Sequence, residues 1–154
     1  MKEDFSKYLK ALGTQKYRSI IVHHNSFRAL EQFARAAAKK YGGGYWDLLA
    51  YCKDSPDIHV DAFDVEDLSD LLKTLCAGES LLCVDKINFL LDTWSNNEKA
   101  AFYSLLRNGW NSFYPHSRAT LVFFIQSYDE IKEQQINDTH KRSRIRPLSH
   151  FKGL

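Results

Sequence analysis

Asp85 is the residue of this chain best placed to do chemistry. It follows the apolar run Leu81-Leu82-Cys83-Val84, and an amphipathic helix is expected after it. A carboxylate at the carboxyl end of a buried strand sits where open α/β sheets bind ligands, and its oxygens can hold Mg²⁺. The same position equally suits an aspartate that only accepts hydrogen bonds from a neighbouring loop. Lys86, the next residue, cannot activate water as a carboxylate would. Three more residues would complete an anion site around Asp85. Ser26 and Arg28 follow the strand-like run Ile20-Ile21-Val22 and stand at the start of a helix, whose N-terminus favours phosphate. Gln126 follows the apolar strand Leu121-Val122-Phe123-Phe124-Ile125, where the chain leaves the core with a polar side chain. A phosphate-wrapping loop of the form GxxxxGK[ST] would be expected between Val22 and the helix. The chain instead reads His23-His24-Asn25-Ser26-Phe27-Arg28-Ala29-Leu30, with no glycine and no lysine. Without that cradle, Asn25 or Ser26 serves as well as a simple helix cap.

Metal and nucleophile chemistry find little support in the spacing. His23 and His24 are adjacent on a strand, so their side chains point to opposite faces and chelate poorly together. His59, His116, His140 and His150 are scattered, and no Cys or carboxylate stands at ligand spacing beside them. No metal and no cofactor is therefore expected, with ATP and Mg²⁺ as the alternative if Asp85 is a live site. Cys52, Cys76 and Cys83 are an odd number without a CxxC spacing, so they read as reduced thiols in a cytoplasmic protein. Cys52 is the best placed for a Cys–His pair, although nothing around it predicts a lowered pKa.

Two surfaces suit a macromolecular partner. Trp94, Tyr103, Trp110, Phe113 and Tyr114 are more aromatics than one helix face needs. Phe102 and Trp110 fit a core face. Trp94, Tyr103 and Tyr114, with Arg107, are expected to form a protein-docking face, or else to pack against the leading helix. The segment Lys141-Arg142-Ser143-Arg144-Ile145-Arg146 is the candidate for an acidic partner such as DNA. Arg144 and Arg146 would project from one side of a strand, alongside Lys141 and Arg142. The same charges would also keep a solvated edge strand from pairing with others. The net charge is only +2, so no global field argues for nucleic acid.

The elements that must position these residues follow from periodicity. Phe5, Tyr8, Leu9 and Leu12 space a leading helix within residues 1–16. Arg18 to His23 reads as a strand. A helix from Phe27 carries Phe27, Leu30, Phe33, Ala34, Ala37, Ala38 and Tyr41 on one apolar stripe, and Gly42-Gly43-Gly44 ends it. Tyr45 to Tyr51 reads as a second strand, although Trp46, Leu48 and Leu49 could start a helix. Lys53 to Asp61 reads as a loop. Asp64 caps a helix through Leu75, ended by Gly78. Leu81 to Val84 is the next buried strand. Ser95-Asn96-Asn97-Glu98 is a capping box opening a helix through Phe113, with Pro115 past its end. Ala119 to Ile125 is the strongest strand. Ile131 to Asn137 reads as a short helix, and Ile145 to Leu148 as a last strand that Pro147 places at an edge.

Strands alternating with helices imply an α/β three-layer sandwich with a mostly parallel sheet of about five strands. A chain of 154 residues with 44% hydrophobic and 26% charged content fits a single domain, 1–154, with a core over 17–151. No apolar run approaches the ~20 residues of a membrane span, and the charged start Met1-Lys2-Glu3-Asp4 has no signal core.

The layout formed by the strand at Ile20, the helix from Phe27, the strand ending at Asp85, the helix opened by Ser95 and the strand ending at Gln126 resembles a small P-loop NTPase of the additional-strand (AAA) type without its helical lid. Within that group the chain is similar to the short P-loop protein of BREX-type phage-defence operons and to the ATPase-like domain of the clamp-loader δ subunit. The resemblance implies a Mg²⁺-binding role for Asp85, phosphate contacts from Ser26 and Arg28, and a γ-phosphate sensor at Gln126. Such ATPases place a catalytic glutamate where this chain has Lys86, and the phosphate loop is absent. The chain therefore reads as a non-catalytic subunit that docks onto a protein partner, and the resemblance implies a larger assembly in phage defence or DNA processing. The alternatives are a nucleotide-binding ATPase or sensor with an atypical phosphate site, and a DNA-binding module.

Overall fold

The computed structural model describes residues 1–13, 18–110 and 118–154. Five strands form one parallel sheet: β1 (Ser19–His24), β2 (Gly44–Asp47), β3 (Leu81–Asp85), β4 (Thr120–Gln126) and β5 (Ile145–Pro147), in the order β2-β3-β4-β1-β5. Seven α-helices lie between and around them among the described residues: α1 (Phe5–Gly13), α2 (Phe27–Tyr41), α3 (Leu48–Asp54), α4 (Val65–Leu75), α5 (Asn88–Thr93), α6 (Asn96–Ser104) and α7 (Asp129–Glu133).

The period of two in a strand splits every strand between two cores. Ile20, Val22, Leu81, Cys83, Val122 and Phe124 face α1 and α2. Ile21, Leu82, Val84, Leu121, Phe123 and Ile125 face α3 to α7. Both faces of the sheet are therefore dry, which is why its strands read as unbroken apolar runs. Each fully buried Phe, Leu or Ile contributes about 1.5–3 kcal/mol relative to exposure.

The triplet Gly42-Gly43-Gly44 joins α2 to the sheet through two separate demands. Gly42 ends α2 in the left-handed conformation at φ 67°, returning its N–H to the carbonyl of Ala38. A Cβ on Gly43 would lie 2.6 Å from the carbonyl oxygen of Leu81, so β2 can approach β3 only if that side chain is missing.

Several boundaries differ from the sequence reading, for local reasons. The second strand stops at Asp47, because its carboxylate accepts the Ala50 N–H at 2.9 Å and caps α3. Helix therefore replaces strand over 48–51 and most of the expected loop start. The helix after Asp85 is short and is followed by a second one capped by Ser95. Ser95 Oγ accepts the Glu98 N–H, but the Glu98 carboxylate does not close a box: it accepts the Val65 N–H at 3.0 Å and caps the neighbouring α4. Asp64 and Asp67 form the reciprocal box at that helix. α6 passes into a π-helical turn at Leu105–Gly109, and the expected extension to Phe113 and Pro115 lies outside the described residues. The helix expected over 131–137 is α7, two residues earlier, with Asp129 and Glu130 in the first turn complementing its dipole. Phe27, expected on the apolar stripe of α2, is 40% exposed.

The chain ends meet. Glu3 bridges Phe151, the Lys152 N–H donates to the Glu3 carbonyl at 2.9 Å, and Phe5 stacks edge-on to both Phe33 and Phe151. The leading helix is thus part of the core rather than an appendage.

Candidate functional site

The registers of β2 and β3 pair Asp47 with Asp85, so two strand-end carboxylates stand side by side. Glu31, one turn into α2, adds a third. Like charges so placed repel unless cations intervene. The chain supplies the cation from the next residue. Lys86 Nζ donates to Asp47 Oδ2 at 2.9 Å and to Glu31 Oε1. Arg35 pairs with the other oxygen of Glu31 at 3.4 Å and lies over the Tyr45 ring at 4.3 Å.

Asp85 is fully buried. One oxygen accepts the Tyr45 hydroxyl at 2.6 Å, and the other accepts the Lys86 N–H at 2.9 Å. Tyr45 reaches it because residues two apart on neighbouring strands share a face. Burial pushes the Asp85 carboxyl above the usual range, against the two hydrogen bonds and Lys86. Lys86 holds Glu31 below its usual range, and, against partial burial, Lys86 and the Ala50 N–H together hold Asp47 below its own. Lys86 adopts φ 62°, the left-handed region that lysine seldom enters, which costs on the order of 1 kcal/mol. The distortion folds its amide back onto Asp85 while its ammonium reaches Asp47 and Glu31.

The remaining residues of the expected nucleotide site are committed locally. Ser26 Oγ accepts the Ala29 N–H at 3.2 Å as the cap of α2, and the Ser26 N–H donates to His24 Nδ1 at 2.9 Å. Only Asn25 and Ser26 separate β1 from α2. Arg28 is exposed on the first turn of α2. The Gln126 side chain donates to the Asn25 carbonyl at 2.9 Å, and its backbone is held on both sides by the Asn88 amide. The crossover loops thus bind one another where a ligand was expected.

Both expected docking surfaces require correction. Trp94 is 7% exposed and donates its indole N–H to the Phe63 carbonyl at 2.8 Å. Tyr103 is 4% exposed, with its hydroxyl against that of Tyr128. Both belong to the core between β4 and the helices, where Phe102 packs against Trp94, Tyr103 and Phe123. Arg107 is exposed, and Tyr114 lies outside the described residues.

In the basic segment, Arg144 does not project from a strand. It is 1% exposed, and its guanidinium donates to the carbonyls of Asn137, Ser19, Leu106 and Arg107 at 2.8–3.1 Å. The π-helical turn leaves carbonyls that need donors, and a planar five-donor fork meets several at once. Arg146 pairs with Glu3 at 2.7 Å and covers the Tyr8 and Phe151 rings. Arg142 pairs with Asp138 at 3.1 Å, and Lys141 remains exposed.

All three cysteines are buried and free, and burial pushes the thiols of Cys76 and Cys83 up to about 12. Cys52 is shifted in the same direction by the same cause. None is a poised nucleophile. His23 and His24 do part to different partners: His23 Nδ1 lies 2.8 Å from Ser127 Oγ, and burial lowers its pKa. Among the described residues no group of three or more His, Cys, Asp or Glu is arranged to share a metal ion, and no helix is long and apolar enough to cross a membrane.

The fold and site define a parallel α/β sandwich whose Asp85 corner is closed by its own side chains. The chain matches no protein-family model, no curated protein and no solved structure. Sequence reading missed Glu31, Asp47 and Tyr45 as members of the Asp85 cluster. The one usable signal was Lys86 itself, a charge beside an aspartate at the end of a buried run.

Proposed function

We propose that this protein is a non-catalytic, nucleotidase-like subunit that acts by docking onto a protein partner in a multi-protein assembly. One observation carries this reading: the Lys86 ammonium beside Asp85 already neutralises Asp47 and Glu31, the carboxylates that a Mg²⁺ ion at Asp85 would draw on. A bound metal would have to displace Lys86, break the Tyr45 bond to Asp85 and open a β1–α2 turn with no glycine. The strand order supports descent of the layout from the additional-strand type, since β4 stands between β1 and β3. The fold is retained while the chemistry is blocked.

Docking falls to the exposed surface. Negative charge is concentrated between Asp54 and Asp70, where Asp57, Asp61, Asp64, Glu66 and Asp67 are also exposed, with His59 within the stretch and Lys53 and Lys73 flanking it in sequence. A basic partner surface is the complement of such a band, through long-range attraction and orientation.

The test is a thermal-shift titration with ATP and with GTP, each with and without Mg²⁺. A ligand that binds only the folded state raises its melting temperature. No saturable shift is expected at millimolar nucleotide. A Mg²⁺-dependent rise that disappears in Asp85→Ala would replace this reading with a live nucleotide site.

A further inference from the structure

A second crevice opens beside the closed one, at the carboxyl ends of β1, β4 and β5. Its volume is ≈ 560 Å³, and its walls include His23, His24, Asn25, Ser127, Lys132 and Ser149. The connection from β1 runs past β4 and β3 to reach β2, whereas the connection from β4 crosses β1 to reach β5. Adjacent strands whose chains leave in opposite directions make the gap in which doubly wound sheets bind ligands. Asp85 is not among the residues that line it.

The chemistry of the lining is one-sided. Lys132 on α7 and the two histidines are its titratable groups, and no described carboxylate lines it. His23 is 8% exposed, yet its ring is both hydrogen-bonded to Ser127 and part of the wall. The side chains of Asn25, Lys132 and Ser149 make no hydrogen bond to any described residue, so their donors are available to a ligand. No Phe, Tyr or Trp lines the crevice, so it offers no stacking face for a nucleobase. The volume falls within the range typical of small-molecule sites, roughly 300–1,000 Å³, and exceeds the needs of a bare oxyanion.

We infer that this crevice binds a small phosphate monoester with a polar, non-aromatic body, with Lys132 and Ser127 contacting the phosphoryl oxygens and Asn25 and Ser149 the body. An ammonium and several neutral donors around a dry imidazole suit a tetrahedral dianion. The inference stands apart from the proposed function, since it uses none of Glu31, Asp47, Asp85 or Lys86.

Isothermal titration of the full chain with glucose 6-phosphate tests it, with inorganic phosphate, glucose and ionic-strength-matched sodium chloride as comparisons. Saturable binding of the sugar phosphate with a Kd below about 1 mM is expected, and none of glucose. Lys132→Glu, on an exposed position of α7, should weaken that binding by at least about tenfold, and Ser127→Ala by several-fold. Inorganic phosphate should bind more weakly than the ester. The inference is overturned if glucose 6-phosphate does not bind, if Lys132→Glu binds it as tightly as the parent, or if inorganic phosphate binds equally well. An ATP·Mg²⁺ response lost only in Asp85→Ala would bear on the proposed function and leave this crevice untouched.

Discussion

Asp85 carries a pH signature opposite to that of Glu31 and Asp47 beside it, and the contrast decides between a structural and a metal-binding aspartate. Burial raises the Asp85 pKa above 3.8. The native state then holds a proton that the unfolded chain has lost, so its contribution to stability falls as pH rises through the window above 3.8 and stays low at neutral pH. Glu31 and Asp47 have depressed values, so their contribution is present at neutral pH and is lost only as acid protonates them, below 4.5 and 3.8 respectively. Asp85→Asn keeps the shape, can exchange hydrogen bonds with Tyr45 and removes the buried charge. It should stabilise the protein by roughly 1 kcal/mol at neutral pH and by less in acid. Urea midpoints at the two pH values measure this, and a large loss at neutral pH would show that the charge itself is needed. Lys86 offers a second test. Lys86→Met leaves three carboxylates facing one another and should cost about 1–2 kcal/mol. Lys86→Gly loses the same ion pairs but relaxes the φ of 62°, so it should unfold at a higher urea concentration than the methionine variant. The reverse order would mean that the backbone is not strained there.

At the scale of elements, Arg144 joins parts that local sequence keeps separate. It ties the start of β1 to the π-helical turn after α6 and to the segment before β5. Arg144→Met would leave several buried carbonyls without donors and should cost about 3 kcal/mol or more. Arg144→Lys keeps the charge yet cannot place planar donors on all of them, so it should recover less than half of that loss in equilibrium denaturation. Full recovery by lysine would reduce the role of Arg144 to charge alone. The same burial explains why a basic run that looks like a contact surface yields so few exposed cations.

Across the whole molecule, the two chain ends and α1 seal one face of the sheet. Phe5, Tyr8 and Leu12 are each 1% exposed and pack on Phe33, Phe124 and Phe151. Deleting residues 1–13 would uncover that face and should abolish a cooperative thermal transition, because the lost burial is comparable with the stability of a whole domain. A truncated chain that still melts sharply would show that the sheet stands on α2 alone.

Much of this architecture is written in local sequence. β-branched and aromatic runs set β1, β3 and β4, Ser26 and Asp64 set helix starts, and Gly42 sets a helix end, since each depends on neighbours within a few residues. These cues also sufficed for an α/β sandwich with a parallel sheet. They misplaced α7 and the β2–α3 boundary, where one capping aspartate outweighed strand propensity. The candidate site was legible only as Asp85. Its partners Tyr45, Asp47 and Glu31 lie 38 to 54 positions away and become neighbours only through the β2–β3 register and the packing of α2. Tertiary structure likewise decided that Trp94, Tyr103 and Arg144 are interior. The sequence by itself determined which segments are strands and helices, because those preferences arise between near neighbours. Only the fold decided which charges meet, because their pairing depends on how distant strands align and what burial leaves unsatisfied.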